Sequence, residues 1–218
     1  MTTSDEPALP TGWSRRPLRE LCGSIQAGPA QRAEDKSRAR VSGGTPLVLP
    51  RDLRGRRIVT EEAASVPAVS WERARSLTKY ELAEGDILLT RTGTVGRCAL
   101  VTAEHTGWLF HPNLVRLRLP EAGPVTAAYL VAYLSATAAQ DWIRAQGVAV
   151  AVVPSLSIRT LSELPVLLPP DADQAAIGAT LAALDDKIQA HTEIARATRE
   201  YRSELADALM NGVLPAEP

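Results

Sequence analysis

Leu164-Pro165-Val166-Leu167-Leu168-Pro169-Pro170, then Asp171-Ala172-Asp173-Gln174, then an unbroken run to Met210-Asn211-Gly212, is the stretch that decides how this chain is built. Its first seven residues read as a short apolar strand shut off by two prolines, which end strands and cannot sit inside a helix. Asp171 with Gln174 three residues on has the pattern of a capping box, in which side chains satisfy the orphan N–H groups of a helix start. Beyond it no proline occurs until Pro215, and Ala, Leu, Ile, Glu, Arg and Gln dominate. These are good helix formers. Gly212 supplies a stop in the left-handed conformation. A helix from Asp173 to Met210 rises about 1.5 Å per residue and is on the order of 55–60 Å long, more than one small domain can bury.

The apolar positions say what such a helix does with its surface. Ile177, Leu181, Leu184 and Ile188 alternate steps of four and three, and after a slip of three residues near His191 the stripe resumes at Ile194, Thr198, Tyr201, Leu205 and Ala208. That alternation is a coiled-coil spacing, and the slip disturbs supercoiling locally. Two packings stay open: a helix folded back on its own domain, or one paired with another long helix. The second is expected, with Ile177, Leu181, Leu184, Ile188, Ile194, Tyr201 and Leu205 as the dimerisation seam of a homodimer.

Charge divides the chain at the same place. Residues 1–170 hold 20 Lys and Arg against 16 Asp and Glu, while residues 171–218 hold 4 against 9. The part before the helix is mildly basic, almost wholly through Arg, and the helix is acidic. Arg suits phosphate and guanine contacts, although an Ala- and Arg-rich composition also follows from a GC-rich genome. With 45% hydrophobic residues the chain can bury a core. No charged-then-apolar leader or bilayer-length apolar run is read, so no membrane is expected. Cys22 and Cys98 match no metal spacing and are expected as buried or partly buried free thiols in a reducing cytoplasm.

Working back from the helix, Leu114-Val115-Arg116-Leu117-Arg118-Leu119 is a period-two strand with Arg116 and Arg118 on one face, expected to be wet and to lie against DNA or water. Pro124-Val125-Thr126 opens a helix running through Tyr129, Leu130, Tyr133, Leu134, Trp142 and Ile143, with both tyrosines in the core. Ile87–Thr90 and Cys98–Thr102 form the clearest strand pair, joined by Arg91-Thr92-Gly93-Thr94-Val95-Gly96-Arg97, where the glycines allow positive φ or close approach to a ligand. Arg51, Arg54, Arg56 and Arg57 crowd a loop between strands. Phosphate contact and a solvated turn are equally open readings for it. Ser70 caps a short helix from Trp71. Residues 29–44 read as a solvated loop, and 147–153 as a strand or a loop leading into one.

Ser157-Ile158-Arg159-Thr160-Leu161, Leu164–Pro170, Asp173-Gln174, Ile177 and Leu184-Asp185-Asp186-Lys187-Ile188, in that order, resemble the end of a target recognition domain and its spacer helix in type I restriction–modification specificity subunits. The Glu84–Leu88 strand entry before the Gly-rich turn resembles the same domain. The resemblance runs from Trp13 to about Gly212 and is weakest over residues 29–80. It implies a non-catalytic DNA-recognition subunit serving a DNA-adenine methyltransferase (modification) subunit and an ATP-dependent restriction subunit. The family's usual chain holds two recognition domains and two spacer helices, and this sequence shows one of each. It is therefore read as a half-subunit acting as a homodimer on a bipartite duplex site, or as a fragment or single-domain relative.

The expected fold is α+β: a recognition domain of mostly antiparallel strands, then one long coiled-coil-forming helix. The expected division is a disordered leader over 1–10, the recognition domain over 11–170, the helix over 171–212 and a tail over 213–218. Expected DNA-binding residues are Arg51, Arg54, Arg56, Arg57, Arg91, Thr92, Thr94, Arg97, Arg116 and Arg118. No catalytic set, metal-ligand spacing or cofactor motif is found. The alternative is a protein-interaction adaptor whose acidic helix docks partners and which never reads DNA.

Overall fold

The computed structural model describes residues 9–30, 44–60, 66–146 and 154–213. Most of the expected leader, most of the polar loop of 29–44, the 147–153 segment and the tail beyond residue 213 lie outside them. The chain divides into two compact units, residues 1–179 and 180–218.

The first unit is built on a four-stranded antiparallel sheet. Its strands are β2 (Ser24–Ala27), β10 (Leu114–Arg118), β7 (Ile87–Thr90) and β8 (Cys98–Leu100), in that spatial order. In register, Val115 faces both Ala27 and Leu89, and Leu117 faces Ile25 and Ile87. The sheet is covered on both faces. Val115, Leu117, Ile87 and Leu89 join Tyr129, Leu130, Leu134, Ile143, Leu161 and Val166 in one apolar cluster. Those partners come from α2 (Ala127–Ser135), α3 (Thr137–Gln146), α4 (Ile158–Ser162) and β11 (Pro165–Leu168), the last paired with β1 (Ser14–Pro17). Leu88 and Leu114 point the other way, into a second cluster with Val48, Leu53, Ile58, Ala99 and Phe110. That layer comes from β3 (Thr45–Val48), the β4 (Leu53–Arg54) and β5 (Arg57–Ile58) hairpin, and β9 (Leu109–Phe110), which pairs parallel with β3. β6 (Ala68–Val69) adds to β3 before α1 (Trp71–Ala74), which Ser70 caps.

Where one helix is expected from Pro124 through Ile143 there are two. The backbone turns extended at Ala136 (φ −70°, ψ 151°), ending α2 before α3 begins. Both tyrosines hold β11 as well as filling core. Tyr129 donates to the Leu167 carbonyl and Tyr133 to the Pro165 carbonyl, at 2.7 and 2.8 Å. Burial pushes the Tyr129 hydroxyl up to about 12.

The long helix α5 spans Asp171–Met210, 40 residues. Its start corrects the capping-box expectation. Gln174 is 2% exposed and its side chain reaches across the fold, not back along the helix. The amide oxygen accepts from Thr126 N–H at 3.2 Å, and the amide nitrogen donates to the Pro124 and Pro169 carbonyls at 2.9 and 3.1 Å. Gly178, one turn on, lies so close to Ala128 and Tyr129 that an added Cβ would sit 3.2 Å from each. Ile177 packs on the first apolar cluster. The opening of α5 therefore packs into the first unit.

One buried and one half-buried imidazole make stability depend on pH. Burial lowers His105 from its ordinary 6.5, with Glu104 opposing the shift, and burial alone lowers His111. His111 Nδ1 also accepts Asn113 N–H at 3.1 Å, which needs the unprotonated ring. The unfolded chain therefore takes up protons first as pH falls, so this stabilisation is complete above about 6.5 and lost below it. The thermal midpoint is expected to drop when the pH is taken from about 7.5 to about 5.5, and His105→Gln with His111→Gln should flatten that drop. An unchanged slope in the double variant would remove these two groups as its cause.

Candidate nucleic-acid interface

The loop between β7 and β8 is held by its own threonine. Thr90 is buried, its N–H donates to the Arg97 carbonyl at 2.8 Å, and its hydroxyl oxygen accepts Arg97 N–H at 2.9 Å while the hydroxyl donates to the Thr94 carbonyl. Gly93 and Gly96 both take positive φ, 82° and 95°. Their uses differ. A Cβ on Gly93 would meet nothing within 4 Å, so the turn there is open. A Cβ on Gly96 would sit 2.8 Å from Gln140 Oε1, and Gln140 Nε2 donates to the Gly96 carbonyl at 2.9 Å. The close approach anticipated at the second glycine is thus to the domain's own α3. Gln140 is a supporting residue that sequence spacing does not reveal, since it lies 44 positions away.

Arg97 and Thr94 are exposed, and Arg91 and Thr92 are half-buried. Arg91 is fixed by its backbone: its N–H donates to the Asn113 carbonyl at 2.9 Å, and its carbonyl accepts Leu156 N–H at 2.8 Å. Thr92 bridges Ser155. Arg91 Nε is buried without a hydrogen-bond partner among the described residues.

The second basic group reaches the same edge. Gly55 and Arg56 both have positive φ, 55° and 63°, the requirement of a type I′ turn closing the β4–β5 hairpin. Arg56 is the non-glycine residue that takes this conformation among those described. Leu100 N–H donates to the Arg56 carbonyl at 3.0 Å, and Arg56 pairs in parallel with Ala99. That parallel step sets Arg56 beside the middle of β8. Arg54 and Arg57 are exposed, and Arg56 is half-buried. Arg54 Nε donates to the Arg51 carbonyl at 3.0 Å, and Arg51 leans on Asp52 at 3.7 Å. Arg51 follows β3 just where Val48 accepts from His111 N–H, at the end of the sheet that leads through Asn113 to Arg91. Arg91 and Arg97 thus flank the loop between β7 and β8, and Arg51, Arg54, Arg56 and Arg57 crowd the hairpin beside β8, so these six lie on or beside turns.

Arg116 and Arg118 do not. Their face of β10 is covered by the second layer, and Arg116 is 4% exposed. It donates to the Lys79 and Glu81 carbonyls at 3.2 and 2.9 Å and to Gln26 Oε1 at 2.7 Å, with its guanidinium 5.8 Å from the Phe110 ring. Burial, then the neighbouring Arg118, lowers its pKa, and Asp86 opposes them. Arg118 grips the buried Asp86 with two hydrogen bonds of 2.7 and 2.6 Å, which raise its own pKa. The expectation of a wet, DNA-facing strand is therefore corrected: these two arginines tie β10 to the segment before β7. Asp86 lies beyond the end of β7 that is opposite Arg91, about 10–13 Å along a four-residue strand.

The dimerisation seam is likewise divided. Ile177 belongs to the core, Leu181 and Leu205 are half-buried, and Leu184, Ile188, Ile194 and Tyr201 are 51, 62, 63 and 65% exposed. Elsewhere Trp71 stands 57% exposed with the Arg75 guanidinium 5.8 Å from its ring, a feature the sequence shows only as a helix start. Cys22 is half-buried, its thiol pushed up to about 12 by burial, and Cys98 is buried beside Ser135. Among the described residues no cluster of His, Cys, Asp and Glu could hold a metal ion, and no helix is long and apolar enough to cross a membrane.

The chain, an α+β domain running into a 40-residue helix, belongs to the type I restriction modification DNA specificity domain family, whose model matches residues 10–197. Within that class it is similar to the specificity subunit of the type I restriction enzyme EcoEI from Escherichia coli, with 26% identity over 216 residues. The match covers 94% of this chain and 34% of that subunit, so the chain spans about a third of its relative. The fold is shared with the S subunit of a type I restriction–modification system from M. genitalium (TM-score 0.63, 15% identity, 96% of this chain and 47% of that one). It is shared too with the HsdS subunit from Thermoanaerobacter tengcongensis (TM-score 0.61, 16% identity, 99% and 53%).

Proposed function

We propose that this chain is a non-catalytic, sequence-specific DNA-recognition domain that reads duplex DNA through Arg51, Arg54, Arg56, Arg57, Arg91, Thr92, Thr94 and Arg97. The observation supporting this reading is that these residues lie on or beside turns of a domain whose family is a DNA specificity family. Guanidinium groups on two neighbouring turns suit phosphates at one level and a base edge at the next. The open turn at Gly93 supports Arg91 or Arg97 as the base reader. The chain works as a homodimer on a bipartite site, serving a DNA-adenine methyltransferase subunit and an ATP-dependent restriction subunit. The exposed apolar side chains of Leu184, Ile188, Ile194 and Tyr201 along α5 support the two-copy reading.

Titration of labelled duplex, with a co-expressed modification subunit, should show affinity falling steeply between about 50 and 200 mM salt as phosphate contacts release counterions. Arg91→Ala or Arg97→Ala should cost about 1–3 kcal/mol and relax preference at one base position among sequences selected from a random duplex pool. Flat salt dependence, or no binding with the partner present, would favour the adaptor instead.

A further inference from the structure

We infer that Gln140 is a positioning residue for base recognition: from α3 it fixes the peptide that carries Arg97, so that the break between α2 and α3 serves DNA specificity. This deepens the recognition reading above and rests on it. The peptide in question joins Gly96 to Arg97. Its carbonyl accepts from Gln140 Nε2 at 2.9 Å, and its N–H donates to the Thr90 hydroxyl oxygen at 2.9 Å. A peptide unit is planar and stiff, so holding both of its polar ends fixes its orientation. The Arg97 carbonyl is held in turn by Thr90 N–H at 2.8 Å. Arg97 therefore has an exposed side chain on a backbone pinned on both sides of its Cα. A root fixed in advance leaves only the side chain to be ordered when a base edge is met.

Two local features bring Gln140 to this peptide. The first is Gly96, which is buried with φ 95°. A Cβ there would stand 2.8 Å from Gln140 Oε1 and 3.3 Å from Ile143 Cγ2. Any larger residue would press on α3 as well as strain the backbone. The second is the break at Ala136. In a continuous helix Ala138 N–H would take the Leu134 carbonyl, four residues back. The extended backbone at Ala136 leaves that carbonyl among the free ends of α2, and Gln140 Nε2 donates to it at 2.6 Å. The two hydrogens of one amide thus satisfy two carbonyls, one ending α2 and one leading into Arg97. The helix that delivers the amide is itself anchored, since α3 buries Ala139 and Ile143, and Ile143 joins the first apolar cluster. Arg91, at the other end of the loop, is bound through its backbone to Asn113 and Leu156, and changes at Gln140 leave those bonds in place.

Gln140→Met keeps the length of the side chain and removes its donors. With the full chain and the co-expressed modification subunit, affinity is measured for the duplex the wild type selects and for an unrelated duplex of equal length. The ratio of the two should fall about three- to tenfold, the worth of one net hydrogen bond. The salt slope should keep its wild-type value, because every guanidinium remains. Added to Arg97→Ala, the same change should lower the ratio no further, since a residue acting through Arg97 has nothing left to position. Hydrogen exchange without DNA should show the Arg97 amide opening faster by about the same factor. The Val101 amide, bonded to the Asp86 carbonyl, should keep its rate. Far-UV circular dichroism reads the fold. Should Gln140→Met not fold, Gln140→Asn withdraws the same amide by one methylene and reads the same ratio. A folded variant with an unaltered ratio, or one whose loss persists in full over Arg97→Ala, makes Gln140 a support for α2 alone and overturns the proposal. Loss of fold in both variants overturns it too. A wild type that prefers no sequence with its partner present overturns the recognition reading itself, and this proposal with it.

Discussion

Replacing Leu184 and Ile188 together by Asp is expected to turn a two-copy assembly into monomers whose recognition domain still folds. Both residues are more than half exposed in the single chain, so neither change disturbs a monomer's core. In the paired helices both are buried, and burying a Leu or Ile is worth about 1.5–3 kcal/mol. Symmetry doubles the loss, and two carboxylates in an apolar seam add a desolvation cost. Association should weaken by on the order of a thousandfold or more. Sedimentation equilibrium and far-UV circular dichroism read the two halves of this expectation. On DNA the variant should lose preference for a two-part site and keep, at most, weak half-site binding. A variant that stays dimeric would move the interface away from this face of α5.

Arg116→Ala is expected to lose about 3–4 kcal/mol of stability, the sum of a cavity and three acceptors stripped of their donors. The Lys79 and Glu81 carbonyls and the Gln26 amide oxygen all lose Arg116, and Arg118 loses the neighbour that stacks its strand against the second layer. At about 2–4 °C per kcal/mol for a domain of this size, the thermal midpoint should fall by roughly 6–15 °C. The control is Arg97→Ala, whose side chain is exposed and whose melting should barely move. A stable Arg116→Ala protein with impaired DNA binding would return this residue to the interface. The opposite pattern, loss of stability with unaltered affinity in the folded fraction, is the expected one.

These two arginines show where reading the chain stops. Period-two alternation in Leu114–Leu119 does say that Arg116 and Arg118 share a face. It cannot say what lies against that face, because β3, β9 and the Lys79–Glu81 segment come from elsewhere in the chain. Gln174 teaches the same lesson. Three residues after Asp171 it has the spacing of a cap, yet its partners are Thr126, Pro124 and Pro169, two of them about fifty positions away. The break at Ala136 was signalled only weakly, by Ser135 and Thr137 on either side of it, with no Pro or Gly to mark it.

Local chemistry alone determined a good deal. The strand closed by Pro169-Pro170, the long helix to Met210, the β7–β8 pair with positive φ at both loop glycines and the Ser70 cap all depend on side chains and backbone within a few residues of one another. The ordered motifs from Ser157 to Ile188 carried the α+β family for the same reason. Tertiary structure alone decided which arginines stay exposed, and where the helix stops packing on the first unit. Those outcomes depend on which distant segment covers which face. A residue's own spacing does not encode that cover: burial is settled by long-range packing, which buried Arg116, tied Arg118 to the buried Asp86 and set a half-buried Ile177 against the apolar cluster.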